Sequence, residues 1–159
     1  MTHIVKFSFL AAILVFMASC ASPTTPPCPV TAPNGSTPPN EQASGLNHGN
    51  GEIWTVLWPD GIVRLEQGGP GEIRADGSLV MKFPWWRGEA VVGALQIEGK
   101  RLDGEALPLQ AEIPDGYGET GFQASGLVFP SEGCWQVTAR AGGAELTIVT
   151  QVVKVDGGS

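Results

Sequence analysis

Cys134-Trp135-Gln136-Val137-Thr138-Ala139-Arg140, the pair Gly142-Gly143, and the run from Glu145 to Val155 decide the fold of this chain. Trp135, Val137 and Ala139 share one parity and alternate with Gln136, Thr138 and Arg140. A repeat of two is the mark of a strand with one face on a core and one toward water. Two such runs joined by Gly-Gly read as an antiparallel hairpin, because glycine reaches the positive φ that a tight turn demands. By that parity Trp135, Val137 and Ala139 point inward, and Cys134 points outward.

The same pattern recurs upstream. Phe122–Phe129 reads as a strand leading into the corner Pro130-Ser131-Glu132-Gly133, and Pro114–Gly121 is a glycine-rich loop with only Tyr117 to anchor it. Leu107, Leu109, Ala111 and Ile113 alternate with polar partners, Gly99–Gly104 reads as a polar loop, and Val91–Glu98 reads as another strand. Leu79, Met81 and Phe83 share a face opposite Lys82, and the strand is expected to stop at Pro84, which cannot donate to a central ladder. Asp76-Gly77 marks a tight turn before it. Ile53–Trp58 and Ile62–Glu66, joined by Pro59-Asp60-Gly61, read as a second hairpin. Outside the first twenty residues no window repeats its apolar residues every 3.6 positions. The expected fold is all-β: an antiparallel sandwich of about seven to nine strands over residues 52–156.

Phe129-Pro-Ser-Glu-Gly-Cys-Trp-Gln-Val-Thr-Ala139, followed by a hairpin and a long last strand, resembles the closing strands of bacterial immunoglobulin-like domains. Trp135 stands where such domains often carry Tyr. The resemblance covers about 25 residues closely, and it implies an immunoglobulin-like sandwich. No second cysteine lies among the sandwich strands, so the inter-sheet disulfide of antibody domains is not expected.

The amino-terminal end carries an address. Lys6 precedes Phe7–Cys20, an apolar run too short to cross a ~30 Å hydrocarbon layer comfortably, and small Ala18 and Ser19 lead to Cys20. This is the pattern of an export signal helix, residues 1–19, that is removed. Met17-Ala18-Ser19-Cys20 resembles the lipobox of bacterial lipoproteins, in which the cysteine thiol takes up diacylglycerol; the family more often has Leu where Met17 stands. The resemblance implies a lipid anchor on Cys20 and a place on the extracytoplasmic face of a membrane or cell envelope. The whole chain also looks like uncharacterised bacterial lipoproteins of similar layout. Residues 20–51 hold seven of the 13 prolines among Ser, Thr, Asn and Gly, and read as a flexible tether unable to offset its ordering entropy. Residues 157–159 read as a frayed tail.

The formal charge is −7, and loss of Lys6 with the signal makes it more negative by one. Such a field opposes nucleic acid and anionic lipid heads, which are bound through Lys and Arg. With Cys20 lipidated, Cys28 and Cys134 remain as an even pair in an oxidising setting, where a disulfide is expected. The two histidines are His3, in the signal, and His48, in the tether, so a Ser-His-Asp constellation inside the domain is excluded. Zinc and copper sites lack ligands for the same reason. No cofactor is expected. Asp115 with Glu119, and Asp103 with Glu105, could lend oxygens to calcium, although the EF-hand spacing is missing. An Asp/Glu pair could also serve a small envelope glycan hydrolase, and a purely structural accessory is a third reading. The leading expectation is a monomeric, non-catalytic binding module for an envelope protein or glycan. Its candidate residues are Trp85 and Trp86, which an extended chain sends to opposite sides, with Arg87 and Tyr117.

Overall fold

The computed structural model describes residues 27–155. The expected export signal, the lipidation candidate Cys20 and the extreme carboxyl tail lie outside the described residues. Among the described residues there are ten strands: β1 (Asn47–Gly49), β2 (Ile53–Val56), β3 (Ile62–Leu65), β4 (Glu72–Ile73), β5 (Leu79–Arg87), β6 (Gln96–Arg101), β7 (Gln110–Glu112), β8 (Gly121–Phe129), β9 (Gly133–Ala141) and β10 (Ala144–Lys154). They form two sheets. One runs β1-β2-β5-β8-β7, with β4 also paired to β5; the other runs β3-β10-β9-β6.

The glycine hairpin is β9–β10, in register from Ala141↔Ala144 to Gly133↔Val152. Its inward parity is the expected one, with Trp135, Val137, Ala139 and Ile148 fully buried. Opposite them lie Leu79, Met81, Phe83, Trp85, Leu127 and Phe129 of β5 and β8. The inner faces of two sheets thus close on one apolar layer, as in sandwiches generally. Phe129 meets Trp135 edge-on at 5.7 Å, and Phe83 stacks on Trp85 at 6.3 Å.

Several local expectations are corrected. Ile53–Trp58 and Ile62–Glu66 do not form a hairpin: β2 pairs with β1 and β5, whereas β3 pairs with β10 in the other sheet, in parallel. The Pro59-Asp60-Gly61 triplet still turns the chain, with Asp60 and Gly61 at φ 58° and 69°. What it joins is one sheet to the other, so that Ile53 and Val63 reach the same core from opposite sides. The sandwich is therefore antiparallel except for the β3–β10 pair.

Nor does Pro84 end its strand. Its carbonyl accepts from Thr55 Oγ1 at 2.8 Å, so its amide side faces β2. Because N–H and C=O of one antiparallel residue point the same way, the missing donor falls in the gap between β4, which pairs at Leu79 and Val80, and β2, which pairs from Trp85 onward. Gly99–Arg101, read as loop, continue β6 along β9. A Cβ on Gly99 would come within 2.9 Å of the Gln136 carbonyl and 3.0 Å of Leu109 Cβ, so this bare position lets Leu109 settle over the strand. Leu107, which shares the parity of Leu109, is exposed, while Leu109 is buried.

The tether reading fails for residues 27–51, which lie against the sandwich. The Cys28–Cys134 disulfide joins this segment to the outer face of β9, with Cα atoms 5.4 Å apart. Thr31 then pairs with Val149 through both its amide and its hydroxyl, at 2.9 and 2.7 Å. The Asn34 side chain brackets the Gly49 backbone, Nδ2 donating to its carbonyl and Oδ1 accepting from its amide, and His48 sits in β1 with Nδ1 3.1 Å from the Ala32 carbonyl oxygen. Composition misleads here because hydrogen bonding by Thr and Asn, with one covalent staple that reduces the entropy to be offset, substitutes for apolar burial.

Candidate functional site

The carboxyl end of β5 and the start of β8 bring the candidate residues together. Alternation sends Trp85 into the core and Trp86 outward. Register then builds a row: Trp54 of β2 stands opposite Trp86 of β5, and Trp86 opposite Phe122 of β8. The Trp86 and Phe122 rings lie 5.2 Å apart at 59°, and Tyr117, from the β7–β8 loop, meets Phe122 at 5.9 Å and 68°. Four aromatic rings thus cross the outer face of the first sheet.

The row is graded from covered to open. Trp54 is buried, its Nε1 donating to Ser36 Oγ at 2.9 Å. A Cβ on Gly49 would fall 2.1 Å from the Trp54 ring, so the indole lies flat only because β1 carries no side chain there. Trp86 is half-buried and donates from Nε1 to Glu41 Oε1 at 3.0 Å. Phe122 and Tyr117 are 45% and 38% exposed.

Two candidates change role. Trp85 is fully buried and hydrogen-bonded to Ser125 Oγ at 3.0 Å; it is a core residue and leaves the site. Arg87 is only 4% exposed, because its parity matches that of Trp85 and carries it between the sheets. Its Nη1 donates to the Gly93 carbonyl and its Nη2 to the Gly118 carbonyl. Burial lowers the guanidinium pKa, and the Glu119 carboxylate opposes the shift; the group stays charged. Phe122 and Trp54 are the site residues that sequence reading missed. Their signal is cross-strand register, which a single strand's pattern does not carry.

Two clefts flank Arg87. One, of about 320 Å³, lies under the β7–β8 loop and is lined by Arg87, Gln123, Tyr117, Asp115 and Glu119 among others. The other, of about 200 Å³, lies between Pro38–Asn40 and Trp54, Trp86 and Glu89. Inside the first, Arg87 Nε and Gln123 Oε1 are buried without a hydrogen-bond partner. Buried polar atoms are satisfied in the great majority of cases, and an orphan marks a place that calls for explanation. A larger depression of about 550 Å³ lies over the Gly142-Gly143 turn. Its Arg140 is already held by Glu98 and Glu145, which leaves it little to offer a ligand. Among the described residues no three His, Cys, Asp or Glu side chains converge as metal ligands.

Comparison with protein-family models, with curated proteins and with solved structures returned no match. The site therefore stands on its own geometry. What that geometry offers is recognition, with aromatic faces, carboxylates at the rim and a buried guanidinium already committed to backbone carbonyls.

Proposed function

We propose that this chain is a non-catalytic binding module, held outside the cytoplasm by lipid on Cys20, that presents the aromatic row to a partner in the cell envelope. The observation that carries the reading is the exposure of Phe122 and Tyr117 beside half-buried Trp86. Trp and Tyr dominate interface energetics, and clustered exposed aromatics on a soluble domain mark contact surfaces. The two-sheet layout supports the immunoglobulin-like reading, with the disulfide joining the outer face of one sheet to the preceding segment and not sheet to sheet.

Position supports the same conclusion. The disulfide lies at the start of β9, beside the end of β8, whereas Phe122 lies at the start of β8. The eight steps along nine-residue β8, at about 3.4 Å each, separate these poles by about 27 Å. A lipid at Cys20 would enter at the disulfide pole, through eight residues of Pro-rich chain reaching about 25 Å. The aromatic row would then face away from the bilayer.

The test is photocrosslinking in cells expressing the full chain, with p-benzoylphenylalanine placed at Tyr117 or, as a comparison, at Glu105. Adducts at position 117 and none at 105 are expected, in a membrane fraction that the wild type occupies and the Cys20→Ala chain leaves. Absence of adducts at 117 would remove the binding reading; membrane retention of Cys20→Ala would remove the lipid anchor.

A further inference from the structure

We infer that the group recognised at the aromatic row is cationic: an ammonium or guanidinium side chain of a basic polypeptide. The inference rests on the binding-module reading above and specifies its ligand. Two features of the site point that way, and a third calls for a hydrogen-bond donor, which such a group carries.

The first is charge. Glu89 lines the smaller cleft, Asp115 and Glu119 line the larger, and Glu52 stands at the head of β2, where its carbonyl accepts the Gly88 amide. Among the described residues none of these four carboxylates forms an ion pair. The carboxylates that do, Asp60, Glu72, Glu98, Asp103, Glu112 and Glu145, line neither cleft. Arg87 is the one cation of the site, and its two Nη atoms face backbone carbonyls. The local field is therefore negative, in a chain of formal charge −7, and such a field raises the arrival rate of cations and turns anions away.

The second is ring geometry. Interplanar angles of 59° and 68° leave Trp86, Phe122 and Tyr117 without a common plane. A sugar chain stacking over several rings needs faces that lie side by side. Cations need only the electron-rich face of one ring within about 6 Å, and rings set steeply to one another offer such faces in several directions.

The third is the orphan acceptor. Gln123 is 8% exposed, and its Oε1, in the wall of the larger cleft beside Tyr117 and Glu119, has no donor. An N–H from an ammonium or guanidinium supplies one, as an amide or a hydroxyl also would, and a carboxylate does not. The occupant is taken to be polypeptide because the carboxylates lie on both sides of Arg87, in two clefts. More than one cationic side chain, on one chain, is needed to answer both.

The experiment uses the detergent-solubilised full-length protein and tryptophan fluorescence, with hexa-arginine, hexaglutamate and chitohexaose as probes. Hexa-arginine is expected to bind and hexaglutamate is not. Binding should weaken about tenfold in the double variant Glu89→Gln/Glu119→Gln and by a similar factor in Phe122→Ala, as partly desolvated cation–π and charge contacts are lost. The variant Glu66→Gln/Glu105→Gln removes the same charge from exposed positions elsewhere and should bind as the wild type does. Near-ultraviolet circular dichroism checks that each variant is folded. Equal weakening by both double variants, or no binding of hexa-arginine, overturns the inference. Chitohexaose binding that Phe122→Ala abolishes also overturns it while leaving a binding module in place. The crosslinking at position 117 reports on the module by itself, so the two readings fail separately.

Discussion

The two poles of the sandwich are built from the same strands and could hardly differ more in how completely their groups are used. At the disulfide pole no buried side-chain donor or acceptor among the described residues lacks a partner. Cys134 is bonded to Cys28, its carbonyl accepts the Leu102 amide at 2.7 Å, and Arg101 reaches both Asp103 and Ser131. Glycine makes this density possible, since a Cβ on Gly133 would fall 2.4 Å from Arg101 Nε. At the aromatic pole, 27 Å or so away along β8, carboxylates stand without cations, rings without cover, and two buried polar atoms without partners. Groups satisfied internally contribute to stability and have little left for a ligand; groups left open cost stability and are available for one. On the proposed reading, binding belongs to the open pole and anchorage to the stapled one.

The largest effect should come from opening the staple. The bridge closes a span of 106 residues, for which chain entropy gives about 4.7 kcal/mol. Chemical denaturation with and without reductant should show a loss of that order, and labelling should show Trp54 gaining solvent access as the 27–46 segment loosens. An unchanged midpoint would mean that the segment holds by its hydrogen bonds alone. Next, Trp85→Ala should cost about 3–5 kcal/mol as a core truncation, whereas Phe122→Ala, at an exposed position, should cost under about 1 kcal/mol. Similar losses for the two would erase the distinction between packed and open poles.

A small, pH-dependent effect concerns Asp103. Burial pushes its carboxyl pKa up, but the Arg101 hydrogen bond, the Cys134 amide and the Arg101 charge together hold it below the ordinary value. A depressed carboxyl stabilises the fold fully above its unfolded pKa, about 3.9, and the contribution is lost as pH falls through the folded value. Asp103→Asn should therefore lower stability by roughly 1 kcal/mol at pH 7, less than a buried pair would give because the side chains are partly exposed. The difference from wild type should shrink as pH falls through the folded value. A deficit that persists unchanged in acid would show that shape, and not charge, is what Asp103 supplies.

Much of this architecture was legible in the residues. Alternation at Trp135, Val137 and Ala139 identified the inner face of β9, and the Gly142-Gly143 turn identified its partner. Cysteine parity matched the bridge, and adjacency separated Trp85 from Trp86. The site was legible only in part, because Trp85 and Arg87, proposed as contacts, share the parity of the core, and Phe122 gave no sign of its neighbours. Reading residues 27–51 as a free tether failed because composition measures apolar burial and is blind to a staple formed a hundred residues away.

By itself, the order of residues determined local quantities: which stretches extend, which faces are apolar, where glycine permits a turn, and that the chain is acidic. Tertiary structure decided which strands became neighbours. It placed β3 parallel to β10 and not against β2, aligned Trp54, Trp86 and Phe122 in one row, and drew Arg87 between the sheets. The physical reason is that alternation is a property of one strand, whereas register and sheet membership minimise the energy of the whole core, to which residues far apart in the chain contribute together.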